Sequence, residues 1–476
     1  MSNSSQARQR VYSLLDENSF VEIGARVKAR ATDFNLKQLE TPSDGVITGY
    51  GVINGQLVYV FSQDAAVLNG SVGEMHAKKI CNLYDLAMKT GAPVIGLMDS
   101  AGIRLQESSD ALNAFGAIYA KQALASGIVP QITAVLGNCG GGLAIIPSLA
   151  DFTFMEEKSA KLFVNSPNAL EANYVEKNNT AGAKFQSSES GIVDVVSSES
   201  EIFDKIRALV SMIPENNEDD MSFEECTDEL NRLNTGIQDL QKDKALLLKE
   251  ISDNNLFFEL KPTYAKEMVT GFVKLNGTTV GCVANRSAVL NDALKETEKF
   301  ATVLTVDGCE KASKFINFCD AFSIPLLTIT DVTGYEATVE SEKHISKAVA
   351  KLTYSFASAT TPKVNLITGS AFGNAYVAMN SKAIGADLTI AWENAKIGMM
   401  DAKMAAKIMY DGADAKEVEA QAAVYDALQN SVDAAASRGY VDQIISADET
   451  RKYVIGAVEM LFTKREVQPS KKHGTV

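Results

Sequence analysis

Histidine, paired cysteine and basic charge are what this chain has least of, and each shortage removes a class of chemistry. Only His76, His344 and His473 are present, and none lies in a recognisable partner motif. A histidine-rich metal centre is therefore not expected, and no metal site is assigned. The six cysteines (Cys81, Cys139, Cys226, Cys282, Cys309 and Cys319) include no Cys-x-x-Cys pair. That spacing removes the zinc ribbon, and a disulfide framework does not suit a chain of this size. Net charge is −15, which argues against general nucleic-acid binding, because phosphate contacts need a basic surface. An anionic small ligand needs only a local pocket and stays open. No apolar run reaches membrane-spanning length, and Met1-Ser2-Asn3-Ser4 leads straight into a charged amphipathic segment without a signal-peptide core. A cytoplasmic protein is expected.

What is present is enough apolar material, 46% of 476 residues, for two to three packed domains. The chain is organised around Gly137-Asn138-Cys139-Gly140-Gly141-Gly142-Leu143. Pro130 to Leu136 reads as a buried strand running into these glycines, and Leu143-Ala144-Ile145-Ile146 as the first turns of a helix. Glycines at such a corner leave backbone N–H groups uncovered, and the helix start adds partial positive charge. The corner suits a phosphate or an oxygen that becomes negative during reaction. No Gly-Lys-Ser/Thr ending follows, so the phosphate-loop reading lacks its lysine. Cys139 reads as structural, since no histidine base is placed to activate it.

The corner occurs twice. Pro93 to Gly102 has a counterpart in Pro325 to Gly334, and Ala150-Asp151-Phe152-Thr153-Phe154 one in Ala386-Asp387-Leu388-Thr389-Ile390. Pro130, a strand and Gly140-Gly141-Gly142 recur as Pro362, a strand and Gly373-Asn374-Ala375. The prolines stand 232 residues apart in both cases, and the hairpin turns Asn54-Gly55 and Asn276-Gly277 stand 222 apart. Ordered landmarks at near-constant offsets mean one α/β fold used twice. Residues 74 to 90 show helical periodicity, and Gly45 to Val60 a hairpin. Between the halves, Pro214 to Asp220 reads as an acidic break, Asp228 to Lys249 as a solvated linker helix, and the tail after Gln468-Pro469 as frayed.

The residues Ser62 to His76, Asp99-Ser100-Ala101-Gly102-Ile103-Arg104-Leu105-Gln106-Glu107 and Gly137 to Gly142 resemble motifs of one family. It comprises the carboxyltransferase subunits of biotin-dependent acyl-CoA carboxylases and of the related sodium-pumping decarboxylases. The resemblance implies two tandem crotonase-like (ClpP/crotonase) domains, an N-terminal acyl-CoA domain over 1–225 and a C-terminal biotin domain over 226–476. It implies that Gly140, Gly141 and Gly142 hold a thioester oxygen and that Gly373, Asn374 and Ala375 hold the ureido oxygen of biotin. Gly102 and Arg104 would flank the acyl-CoA, with Arg104 a shaper of the loop or a contact to CoA phosphate. Gly334 and Val377 would flank biotin. The implied partners are a separate biotin carboxyl carrier protein and either a biotin carboxylase or a membrane decarboxylase subunit. The implied assembly is a homohexamer, a trimer of dimers, with sites between the N-half of one subunit and the C-half of another.

Departures from the family pattern concentrate in the second half. Asn374 stands where the family has glycine, Asp331-Val332-Thr333-Gly334-Tyr335 replaces Asp-x-Pro-Gly-Phe, and Met399-Met400-Asp401-Ala402-Lys403 differs from the usual run. No Ala-Met-Lys-Met is present, so biotin must arrive on another chain. A biotin-independent hydratase or hydrolase, and a scaffold subunit that has lost the biotin corner, remain the rival readings.

Overall fold

A computed structural model describes residues 5–32, 40–171, 179–219 and 225–467. The chain forms two compact units, 1–220 and 221–476; the expected division after residue 225 lies a few residues further on. The expected frayed tail lies outside the described residues.

Each unit is built on an eight-stranded sheet, and the two sheets have the same order. In the first the path runs Val21–Ile23, Val46–Ile53, Gln56–Gln63, Val94–Ser100, Gln131–Gly140, Phe152–Glu156, Val195–Ser197, with Lys161–Phe163 paired to the far end of Gln131–Gly140. In the second it runs Phe257–Leu260, Met268–Leu275, Thr278–Asn285, Leu326–Val332, Lys363–Phe372, Leu388–Trp392, Gln443–Ile445, with Lys396–Gly398 paired to the end of Lys363–Phe372. The first two pairings in each sheet are antiparallel and the rest parallel. Asn54-Gly55 and Asn276-Gly277 both adopt positive φ at both positions. Two-residue hairpin turns of this hand match the right-handed strand twist.

Helix Glu74–Thr90 shows why the sequence signal was clear. His76, Ala77, Ile80, Leu83, Tyr84 and Ala87 fall on one face and are buried, and Gly91 at φ 68 ends the helix in the left-handed conformation that glycine tolerates. That face joins Phe61, Val94, Met98 and Val135 in the first core. The second core is built likewise from Val273, Val280, Leu327, Leu366 and Trp392.

The linker-helix reading of Asp228 to Lys249 is corrected. Turns run to a short 3-10 segment, Ile237–Leu240, and only Lys244–Ile251 is α-helical. Gly236 at φ 82 breaks the run, and Asp243 caps the new helix by accepting from the Ala245 N–H at 3.2 Å. Ile237, Leu247, Leu248 and Ile251 are in the second core, so the segment is part of the second unit. The acidic break is also tied down on its near side: the Asn217 N–H donates to Ile128 O, and Asn216 Nδ2 to Gly91 O.

Candidate functional site

Strand Gln131–Gly140 passes directly into a 3-10 turn, Gly141–Ala144, and the five-residue helix Ile145–Leu149. Gly141 sits at φ 64, and a Cβ there would meet nothing within 4 Å, so the face of the corner is open. The first N–H groups of the turn have no carbonyl behind them to bond. Gly140 is a glycine for a different reason: its Cβ would stand 2.6 Å from the ring of Phe163, its register partner on the neighbouring strand. The Tyr119 hydroxyl donates to Gly142 O and holds the far side of the turn. Gly102, at φ 96, lies against this corner, 3.4 Å from Gly140 O at its Cβ position.

The second corner has the same construction. Strand Lys363–Phe372 enters helix Gly373–Ala378, and Gly373 sits at φ 61. Asn374 is exposed, Ala375 is buried and Val377 is half-buried. The pair Gly334–Tyr335 packs beside this helix. Ladder registers correct the matching of the two corners by one residue. Ser100 pairs with Cys139 and Val332 with Ala371; Gly140 pairs with Phe163 and Phe372 with Gly398. Gly141 therefore corresponds to Gly373, Gly142 to Asn374, and Gly140 to Phe372. The proline offset of 232, carried onto Gly141, already gives Gly373. In the first unit the Phe163 ring fills the space beside Gly140; in the second, phenylalanine and glycine trade register places, and the Asn430 side chain fills the space beside Gly398. The sequence reading had no signal for that exchange.

An aspartate fixes the bend before each corner. Asp99 Oδ1 accepts from the Asn138 N–H at 3.4 Å, and Asp331 Oδ1 from the Ser370 N–H at 3.0 Å. Each carboxylate lies where the Cβ of Gly137 or Gly369 would fall. Arg10 pairs with Asp99 at 2.9 Å and Lys244 with Asp331 at 3.4 Å.

Arg104, expected either to shape the loop or to contact CoA phosphate, is turned into the protein. Its side chain is 3% exposed, paired with Asp44 at 2.7 Å and Glu107 at 2.8 Å, and it donates to Ser71 O at 2.7 Å. A guanidinium enclosed in this way offers no free face to a ligand. Cys139 is buried, and burial pushes its thiol far above the ordinary range, which leaves no thiolate for attack. His76 lies in the interior between Gln63 and the Asp44 carbonyl; burial first, and the Arg104 charge second, lower its pKa to about 3. Among the described residues no cluster of three metal-ligating side chains occurs.

With two glycine-led corners on a duplicated frame established, comparison with known proteins decides the family. The family model described as the carboxyl transferase domain matches residues 2–476. This chain belongs to that family. The carboxyl transferase relatives include the methylmalonyl-CoA decarboxylase subunit alpha of Propionigenium modestum, 40% identical over 99% of this chain and 92% of the relative. The propionyl-CoA carboxylase beta chain of Roseobacter denitrificans is 39% identical over 99% of this chain and 93% of its own length. Among solved structures, transcarboxylase 12S, a hexamer assembly seen with hydrolysed methylmalonyl-coenzyme A bound, superposes with a TM-score of 0.91. Its identity is 34%, over 98% of this chain and 92% of that one. The carboxyl transferase fold thus spans both units, and both corners belong to it.

Proposed function

We propose that this chain is the carboxyltransferase subunit that moves CO2 between an acyl-CoA of the propionyl/methylmalonyl type and biotin on a separate carrier protein. The observation that carries the reading is the repeated corner: two glycine-led helix starts, at equivalent places in two like units of a carboxyl transferase chain. The reaction needs two such places. Removing a carboxyl group from the carbon beside a thioester leaves negative charge on the thioester oxygen, and preorganised N–H donors at that oxygen are worth about 3 kcal/mol each. The N–H groups of Gly141 and Gly142, with Gly140 leading in, hold that oxygen. Gly373, Asn374 and Ala375 fit a urea oxygen: their N–H groups begin a helix, where no intrahelical acceptor reaches them, and the Asn374 side chain is exposed beside them. Biotin, when bound, supplies the ring nitrogen that receives or releases the carboxyl group. No side-chain base need be found, which agrees with the interior placement of His76 and Cys139.

Complete sites form, in this reading, across subunit boundaries of a homohexamer built as a trimer of dimers, the acyl-CoA corner from one copy and the biotin corner from another. The biotin carrier partners it with either a biotin carboxylase or a membrane decarboxylase subunit. Both directions use the same corners, and relatives with both names are similar to this chain. Among the described residues no helix is long and apolar enough to cross a membrane; we place the protein in the cytoplasm.

The test supplies purified protein with methylmalonyl-CoA, malonyl-CoA and free biotin. Loss of CO2 that depends on biotin supports the proposal. Turnover without biotin replaces it with a hydratase or hydrolase, and binding without turnover with a scaffold subunit.

A further inference from the structure

The two corner helices are very short, and what holds their far ends differs between the units in an ordered way. In the first unit the Thr153 hydroxyl donates to Pro147 O at 2.9 Å, within helix Ile145–Leu149. Thr133, on the strand that carries the corner, lies 3.1 Å from Thr153 Oγ1. A hydroxyl has one proton, so Thr133 donates to Thr153 and Thr153 to the helix carbonyl. In the second unit the offset of 232 carries Pro147 onto Met379, Thr133 onto Asn365 and Met98 onto Thr330. Met379 O, at the end of helix Gly373–Ala378, lies 3.3 Å from Thr330 Oγ1, which in turn is 2.8 Å from Asn365 Oδ1. The Thr330 hydroxyl thus donates to Asn365 Oδ1 while the buried Asn365 Nδ2 has no partner; with the amide's oxygen and nitrogen exchanged, the same relay results, Asn365 donating to Thr330 and Thr330 to Met379 O. Thr389, at the place of Thr153, has no hydrogen bond from its hydroxyl.

Both relays start on the strand that bears the corner and end on the last carbonyls of the corner helix. The hydroxyl comes from the next strand on one side in the first unit, Phe152–Glu156, and from the strand on the opposite side in the second, Leu326–Val332. All four side chains are buried: Thr133 2% exposed, Thr153 1%, Thr330 0%, Asn365 0%. Hydroxyl groups at full burial are costly unless bonded. A donor on a helix's last carbonyls neutralises its negative end, polarises the N–H groups at its start and fixes its direction.

We propose that Thr153 and Thr330 are positioning residues, each aligning the N–H donors of its own corner without touching substrate. Thr153 would govern the acyl-CoA side and Thr330 the biotin side; this assignment of sides rests on the proposed function. The test uses the full assembly with Thr153→Val and Thr330→Val, which keep the side-chain shape, and Thr330→Ser, which restores the hydroxyl. Amide exchange is followed in peptides covering 141–150 and 373–380. Thr330→Val is expected to speed exchange only in the second peptide and Thr153→Val only in the first, with Thr330→Ser close to wild type. In biotin-dependent CO2 loss, Thr330→Val should raise KM for free biotin or lower kcat by about tenfold and leave acyl-CoA affinity unchanged, while Thr153→Val raises KM for methylmalonyl-CoA. Equal effects on both peptides, or a serine variant as disturbed as the valine one, would show ordinary core packing and overturn the clamp. Exchange reads the clamp whether or not turnover is seen, so a wild-type protein without biotin-dependent turnover sinks the functional reading separately. Should Thr330→Val not fold, Thr330→Cys, a weak donor of similar size, is read the same way.

Discussion

The two units differ least where the polypeptide is held and most where it faces a corner. Each has an aspartate under its first hairpin and an arginine behind that aspartate. Asp16 accepts from the Gly55 N–H at 3.1 Å and from Arg207 at 2.6 Å; Asp253 accepts from the Gly277 N–H at 2.7 Å and from Arg451 at 2.6 Å. Asp151 and Asp387 each exchange bonds with the residue that opens the corner strand, Gln131 and Lys363. Asp194 and Asp442 do the same one strand further on, with Thr153 and Thr389. Lys79 and Lys311 each reach down to backbone carbonyls of the segment before the hairpin. Against this constancy, Gly140 faces Phe163 where Phe372 faces Gly398, and Gly142 is answered by Asn374. A carboxylate bonded to backbone N–H groups serves any ligand, so it survives duplication unchanged. A residue beside the reacting oxygen serves only one.

The aspartate–arginine pair under each hairpin also shows how one contact differs in worth. Arg451 and Asp253 are 0% and 6% exposed at their side chains, whereas Arg207 and Asp16 are 25% and 28% exposed. Arg451 further donates to Ile251 O at 2.7 Å. Removing one partner of a buried pair leaves the other charge stranded, so Arg451→Ala should destabilise the second unit by about 3–5 kcal/mol. Arg207→Ala, solvated and screened, should cost the first unit about 1 kcal/mol or less. Urea unfolding followed by amide exchange in peptides from each unit separates the two. Equal losses would break the comparison.

Acid should divide the units by a different route. His76 is buried and neutral in the first unit, and the offset of 232 puts Gly308 at its place in the second. Burial holds its pKa at about 3 against an ordinary value of 6.5. In the window between those values the unfolded chain binds the proton and the folded one does not, so stability falls as pH falls. This histidine's contribution is whole above pH 6.5, and about 3 kcal/mol of it is gone by pH 4. His76→Gln should flatten that slope in exchange measured on the first unit and leave the second unit's profile as it was.

Much of this frame was legible in the chain because its signals are local. Paired Asn-Gly turns, prolines opening apolar strands and a helix face repeating from His76 to Ala87 are set by backbone sterics and burial within a few residues. The activity follows instead from the resemblance of the motifs around Asp99 and Gly140 to those of one family. What could not be read depends on partners far along the chain. The burial of Arg104 needs Asp44, and Gly398 is a glycine because the side chain of Asn430, from a separate helical turn, fills the space beside it. The stretch from Asp228 to Lys249 reads as a solvated linker helix in sequence. Gly236 in a left-handed turn and the cap at Asp243 decided otherwise.

Asn374 gives the smallest and sharpest test of how far the corners have diverged. It takes the place that Gly142 fills in the first unit, at the second residue of the helix, with φ/ψ that suit any residue and a side chain exposed to solvent. Its backbone N–H is the same donor that glycine would provide. Replacing it, Asn374→Gly, should therefore keep kcat for biotin-dependent CO2 loss within about threefold and lower helix stability by about 0.5 kcal/mol at most, since both residues are modest helix formers near an N-terminus. A fall of tenfold or more, with acyl-CoA binding intact, would mean that the side-chain amide itself meets biotin, and the second corner would then recognise its ligand by a side chain where the first uses backbone alone.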